Sequence, residues 1–315
     1  MTGQGAEAAG ARFPRERAAA QSADAAVAAK AADENFPVAL RLLPSRRRRY
    51  LMAVYVFART VDDIGDRAPV ADRFRLLAEV EADLRRLYED LAQKRPGATE
   101  PAESAGPAAT SGRVPAVRGL RDAVADCAIP MQPFIDLIEA NRQDQVTTRY
   151  QTFDDLLGYC RLSANPVGRI VLYVFGSFSP ARAKLSDSIC TALQLAEHWQ
   201  DVAEDFAAGR IYLPGTDLAE YGCTDADLGA EHAAPQLRRL LEFEVRRASS
   251  LLDAGAPLIG TLRGAARLAV AGYLAGGRAA LAAIAAANYD VLAATPKPGS
   301  GKTLAELGLA VVRGR

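Results

Sequence analysis

Apolar residues recur at helical spacing along most of this chain, and no stretch shows the alternation of a half-buried strand. From Arg46 to Asp66, the residues Tyr50, Val54, Phe57, Val61 and Ile64 trace one helix face, while Tyr55, Arg59, Asp62 and Asp66 trace another in the same rhythm. This pattern predicts a buried helix with one working face rather than a surface helix. Pro44-Ser45 marks its start, since the proline ends what precedes it and the serine can cap. Asp72 to Ala92 reads as a second, more charged helix, followed by helices over Val117 to Cys127 and Pro130 to Asp144. In the latter, Phe134, Leu137 and Ile138 point inward, and Asp136 and Asp144 are candidate site acids. Thr152 with Asp154 and Asp155 opens a helix to Ala164. Asn165-Pro166-Val167-Gly168 predicts a kink or break before Arg169 to Phe178 resumes.

Ala181 to Ala208 is predicted to be the longest helix. Leu195, Trp199, Val202 and Phe206 form its apolar stripe, and Gln194, Glu197, Asp201 and Asp205 line another. Gly209 ends it, and Tyr212-Leu213-Pro214 begins a loop. Helices over Thr224 to Arg239 with a continuation to Leu252, Ile259 to Gly276, and Arg278 to Leu292 complete an all-α chain whose function lies between its helices. Residues 1–32 read as a flexible extension, 33–293 as a single domain, about 94–113 as a mobile loop rich in Pro, Gly, Ser and Ala, and 294–315 as a tail.

Composition narrows the picture. The 315 residues carry 38 Lys+Arg and 38 Asp+Glu, and this neutral balance argues against a chain that coats nucleic acid. The four cysteines form no CxxC pair, which suits reduced thiols in a cytosolic protein, and the 2 histidines are too few for a usual zinc centre. No apolar h-region marks the first residues as a signal peptide. Ala265 to Ala287 is very apolar, but Arg267 and Arg278 interrupt it. The expectation is a buried helix and no membrane span, with contact at the inner membrane surface left open.

The acids carry the chemistry. Asp62-Asp63-Ile64-Gly65-Asp66 and the run Gln194 to Asp205 each set carboxylates about one helical turn apart. Taken singly, either is an ordinary helix end or solvated stripe; both lie within segments that otherwise read as core. If both line one cavity, repulsion near 4 Å is of order 4 kcal/mol per pair at an effective dielectric of about 20, and a bound cation relieves it. Oxygen ligands without His or Cys favour Mg²⁺, which bridges carboxylates and phosphates. Arg59, one turn before Asp62, and Arg210, just after the second run, are placed to clamp phosphate oxygens. Arg46 to Arg49 reads either as a solvated basic face or as a further clamp. Together these groups suit ionisation of a diphosphate ester. The resulting cation needs a dry, aromatic pocket, for which Phe36, Tyr50, Tyr55, Phe57, Phe134, Tyr159, Phe175 and Tyr273 are candidates, though any single one reads first as ordinary core.

Several ordered motifs then resemble the squalene/phytoene synthase family, in particular its bacterial hydroxysqualene synthase branch. These are Glu34-Asn35-Phe36-Pro37-Val38-Ala39 leading to Leu42-Leu43-Pro44, YLMAVYVFARTVDDIGD ending at Asp66, SANPVG at Ser163 to Gly168, QLAEHWQDVAEDFAAGRIYLP at Gln194 to Pro214, and the later GGRAALAAIAAANYDVL. The resemblance spans about 33–293 and implies an all-α isoprenoid-synthase bundle with a central cavity. It implies metal ligands at Asp62, Asp66, Asp201 and Asp205, with Glu197 where the family typically has Asn. It also implies diphosphate or substrate contacts at Arg59, Gln194, Arg210, Tyr212, Tyr55 and Asn165. The implied reaction uses two or three Mg²⁺ ions to convert presqualene diphosphate and water to hydroxysqualene and diphosphate. No NADPH is expected, since no glycine-rich dinucleotide fingerprint is present. The expected partners are a prenyl diphosphate and, by hand-off, other squalene-pathway enzymes. The expected location is the cytoplasm, including the inner membrane face. Head-to-head condensation of two prenyl diphosphates is the nearest rival reading, and a helical binding or assembly protein the non-enzymatic one.

Overall fold

The computed structural model describes residues 44–93 and 114–297. The expected extension at 1–32, the loop at about 94–113, Phe36 and most of the tail lie outside them, as does all but the last residue of the first resembling motif. Among the described residues the chain is helical, and its one extended pairing is a parallel bridge between Arg149 and Ile211.

Helix α1 (Ser45–Arg67) buries Tyr50, Leu51, Val54, Phe57, Val61 and Gly65, close to the predicted face, with Ile64 only half-buried. Phe57 and Phe134 meet edge to face with centroids 5.2 Å apart and are fully enclosed, so both are core rather than cavity lining. Next come α2 (Val70–Gln93), α3 (Pro115–Gly119), α4 (Arg121–Cys127) and α5 (Gln132–Gln143). The helix expected over Val117 to Cys127 is two short ones, joined at Leu120.

Helix α6 (Phe153–Ser163) opens with the expected capping box: Thr152 Oγ1 accepts from the Asp155 N–H at 3.2 Å, and Asp155 Oδ2 accepts from the Thr152 N–H at 2.9 Å. The break before proline falls at Ala164, and α7 (Asn165–Val174) starts at once with Pro166 in its first turn. Helix α8 (Pro180–Gln200) is the hub, packing on α6, α7, α12 (Pro235–Gly255) and α14 (Gly264–Ala286). Its Leu195 and Trp199 are fully buried. Helix α1 packs on α2, α5 and α7, so α7 touches both acid-bearing helices.

Three expected boundaries are corrected. The helix predicted from Ala181 to Ala208 breaks at Asp201 (φ −102°, ψ 18°), and α9 (Val202–Ala207) continues as a separate segment. Between α9 and α12 lie α10 (Gly215–Glu220) and α11 (Asp225–Leu228), so the helix expected from Thr224 is one turn and the long one begins at Pro235. After α13 (Leu258–Thr261), α14 runs unbroken through Gly276-Gly277, where a break was expected. The chain turns instead at Gly264, with φ +56°. A Cβ at Gly277 would stand 2.7 Å from Leu193 and 3.3 Å from Leu252, so this glycine lets α14 approach α8 and α12 closely. Helix α14 is long and apolar enough to cross a membrane, but 67% of its most apolar window is buried within the protein. The described residues all belong to one compact unit that begins at Leu43.

Candidate functional site

The end of α1 presents the first acids. Asp62 is half-buried and its Oδ1 accepts from Asn141 Nδ2 on α5 at 3.0 Å. Burial raises its pKa, and the Asn141 hydrogen bond and the charge of Arg59 oppose that rise. Arg59 is ion-paired to Asp63 at 2.8 Å, one helical turn on, and Arg67 reaches the same oxygen at 3.2 Å. Asp66 is exposed, and its Oδ1 accepts from Arg210 Nη2 at 3.0 Å. Tyr55 is half-buried on the same face.

The second segment surrounds the helix break. Asp201 is the last cap of α8 and the first of α9; burial, then the charges of Glu204 and Asp205, push its carboxyl up to about 6. Glu197, one turn earlier, is exposed. Gln194 donates its side-chain N–H to His198 Nε2 at 3.2 Å, which leaves the ring proton on Nδ1, 3.8 Å from Asp205 Oδ2. His198 is 7% exposed, and burial lowers its pKa, so it is a neutral wedge. Its ring stacks on Tyr212 with centroids 3.6 Å apart. Asn165 is buried and its Oδ1 accepts from Thr191 Oγ1 at 3.0 Å, which fixes the start of α7 to α8.

Arg210 joins the two segments, because it follows α9 in the chain and grips Asp66 at the end of α1. A carboxylate from a third helix end sits with them. Asp144, just after α5, accepts from the Tyr159 hydroxyl at 2.9 Å. Burial, with the nearby Asp66 and Asp62, drives Asp144 up to about 6 against the pull of Tyr159 and Arg210. Behind it Tyr150, Tyr159, Tyr212 and His198 form an aromatic cluster, with Tyr150 and Tyr212 stacked at 5.8 Å. The structure therefore brings together Asp62, Asp66, Asp144, Arg210, Tyr212, His198 and Asp205, and Asp201 joins through Asp205. Asn141 and His198 were not foreseen as site residues. The signal for Asn141 is the run of polar residues Asn141, Asp144 and Gln145 at and just beyond the end of α5.

The donor set fits a hard divalent cation. Asp62, Asp144 and Asp201 are all disfavoured as bare anions, they offer only oxygen, and Asp144 Oδ1 is buried without a hydrogen-bond partner. Among the described residues no three acids, histidines or cysteines already converge on one metal position. The segments supply donors, not a finished cage.

The sequence profile of the Squalene/phytoene synthase family matches residues 29–301. The hydroxysqualene synthase of Rhodopseudomonas palustris is 35% identical over 232 residues, 73% of this chain and 72% of that protein. A phytoene synthase of Mycobacterium tuberculosis is 30% identical over 73% of this chain and 70% of its own length. Among solved structures, the squalene synthase HpnC of Alicyclobacillus acidocaldarius superposes with a TM-score of 0.71 at 41% identity, covering 81% of this chain and 89% of that one. An all-α bundle of that shape, matched in sequence from before α1 to beyond α14, makes this chain a member of the squalene/phytoene synthase family with the isoprenoid-synthase fold.

Proposed function

We propose that this chain ionises a prenyl diphosphate between α1 and α8–α9, and that its substrate is presqualene diphosphate, converted with water to hydroxysqualene and diphosphate. The observation that carries the reading is the Arg210–Asp66 pair at 3.0 Å, which ties the exit of the second acidic segment to the tip of the first. Asp62, Asp66, Asp201 and Asp205, with Glu197 at the rim, would hold magnesium, and Asp144 is a further oxygen donor. The ion would supply positive charge to the departing diphosphate. Arg59 and Arg210 orient phosphate oxygens through their planar donor forks, with Gln194 alongside. Tyr212, Tyr159 and Tyr150 would offer a carbocation aromatic partners, with Tyr55 of α1 a further one. The 35% identity to a hydroxysqualene synthase supports the choice of substrate. The 30% identity to a phytoene synthase favours a second reading, head-to-head condensation of two prenyl diphosphates. An oily product fits hand-off at the inner membrane face.

The test incubates purified protein and Mg²⁺ separately with presqualene, farnesyl and geranylgeranyl diphosphates. Hydroxysqualene from the first alone supports the proposal. Presqualene diphosphate or phytoene from the others, with none from the first, replaces it by condensation. Asp62→Asn and Asp201→Asn are expected to abolish turnover with unchanged helical circular dichroism.

A further inference from the structure

Only Ala68 and Pro69 separate α1 from α2. Proline disfavours helix at the residue before it, and Ala68 is extended, with φ −66° and ψ 154°. The last carbonyls of α1 therefore lack partners within the helix, at the end where Asp62 and Asp66 already crowd negative charge. Arg73, one turn into α2, folds back over them. Its Nη2 donates to the Asp66 carbonyl at 2.9 Å and its Nε to the Ala68 carbonyl at 2.9 Å. Its Nη1 donates to Gln145 Oε1 at 2.8 Å. Gln145 Nε2 donates in turn to the Gly65 carbonyl at 3.2 Å and the Asn141 carbonyl at 2.9 Å.

Each of these acceptors is neutral. Arg75, two residues on, behaves as surface arginines do, pairing with Asp72 at 2.8 Å and Glu79 at 2.6 Å on its own helix. Arg73 instead directs its whole fork at the junction of α1, α2 and α5. From that junction two short routes lead to the acids. Asp66 is reached through its own carbonyl, while Arg210 holds its carboxylate from the other side at 3.0 Å. Asp62 is reached through Gln145 and Asn141, whose Nδ2 donates to Asp62 Oδ1 at 3.0 Å. We propose that Arg73 is a positioning residue for the first acidic segment: by holding the last turn of α1 against the end of α5, it fixes the spacing of Asp62 and Asp66 that a divalent cation requires. This rests on the reading of those two acids as metal-holding groups.

The chemistry of the group suits the task. A guanidinium is planar and presents its donors at fixed angles, so three bonds from one fork define an orientation, where an ammonium defines only a position. Its charge also offsets the negative end of α1, which otherwise opposes the two carboxylates it carries. Helix ends fray, and a frayed last turn would let Asp66 drift away from Asp62. Groups that hold ligating carboxylates in place typically alter metal affinity by about 10- to 100-fold.

The experiment titrates the full-length protein with Mn²⁺ alone, followed by electron paramagnetic resonance, and reads amide hydrogen exchange at residues 65–67. Arg73→Ala is expected to weaken Mn²⁺ binding about tenfold and to speed that exchange. Arg73→Lys should recover part of both, and Arg75→Ala, which removes two ion pairs from the same helix, should change neither. Wild-type Mn²⁺ affinity in Arg73→Ala overturns the proposal even where exchange quickens, because Arg73 is then a helix cap and no more. An equal loss of affinity in Arg75→Ala overturns it too. Should Arg73→Ala fail to fold, Gln145→Met decides. It leaves Arg73 its two carbonyl bonds and should weaken Mn²⁺ binding about threefold, the worth of one neutral hydrogen bond; wild-type affinity there overturns the proposal. Asp62→Asn separates the clamp from the reading beneath it. If it weakens Mn²⁺ binding while Arg73→Ala does not, only the clamp fails. If it binds Mn²⁺ as wild type does, the metal role of Asp62 fails and the clamp falls with it.

Discussion

Replacing Gly65 by alanine sets two forces of known sign against each other. Gly65 lies inside α1, and alanine there gains about 1 kcal/mol of helix propensity. The new methyl, however, would overlap Asn141 Oδ1, with Asn141 Cγ at 3.2 Å and Gln145 Nε2 at 3.4 Å. Asn141 is 8% exposed, and its Nδ2 donates to Asp62 at 3.0 Å and to the Leu137 carbonyl at 3.2 Å. Moving it aside gives up a bond to a carboxylate, worth about 1.5–3 kcal/mol, and a neutral one worth about 1 kcal/mol. The net expectation is a loss of about 1–3 kcal/mol in urea unfolding followed by circular dichroism. In an Asn141→Ala background the obstacle is gone, and Gly65→Ala should stabilise by up to about 1 kcal/mol. The double-mutant coupling is therefore about 2 kcal/mol or more. Turnover should fall roughly 10- to 100-fold in either single variant, because Asp62 loses the group that orients it. If Gly65→Ala stabilises the wild-type background, or the two changes simply add, the assigned role of Asn141 is wrong.

Glu244 is fully enclosed and shares one guanidinium with Asp217: Arg247 Nη1 lies 2.8 Å from Asp217 and 3.2 Å from Glu244. Burial, then a hydrogen bond with Asp217, holds the Glu244 carboxyl up at about 8 from an ordinary 4.5. Because the folded chain keeps a proton that the unfolded chain releases, stability should decline as pH rises from about 4.5 to about 8, by at most ~1.4 kcal/mol per unit. Glu244→Gln should flatten that decline in thermal melts across the window; an unchanged slope refutes the assignment. Gly255→Ala should cost about 1–3 kcal/mol, since its Cβ would meet the Leu185 carbonyl at 2.7 Å and backbone has little room to yield; a melting temperature equal to wild type would count against the packing of α12 on α8. Arg210→Ala should raise KM for the diphosphate substrate more than it lowers helical content, and Arg210→Lys should recover only part of the loss, because the fork is gone. Full activity in Arg210→Ala would sink the clamp.

Helix identity was legible wherever an apolar stripe persisted, as in α1 and α6, because burial of one face and the caps at its ends are local properties of the chain. The break at Asp201 was not legible, since the apolar stripe Leu195, Trp199, Val202 and Phe206 passes through it without interruption. Gly276-Gly277 misled in the opposite direction: glycine weakens an isolated helix, but here it admits Leu193 and Leu252 from neighbouring helices. Of the site, the acids could be seen as spaced pairs. Their partners could not, because Asn141 reaches Asp62 across 79 residues and Arg210 reaches Asp66 across 144. The ion pair of Arg59 is with Asp63, one turn along its own helix.

Helix α14 is synthesised after both surfaces that receive it, the flanks of α8 and α12. A nascent chain halted just short of Gly264 would carry a complete pair of acidic segments yet leave an oily furrow open to water. Such a fragment is expected to lose activity altogether rather than to half-work, so a nonsense change just before Gly264 should be as damaging as an early one.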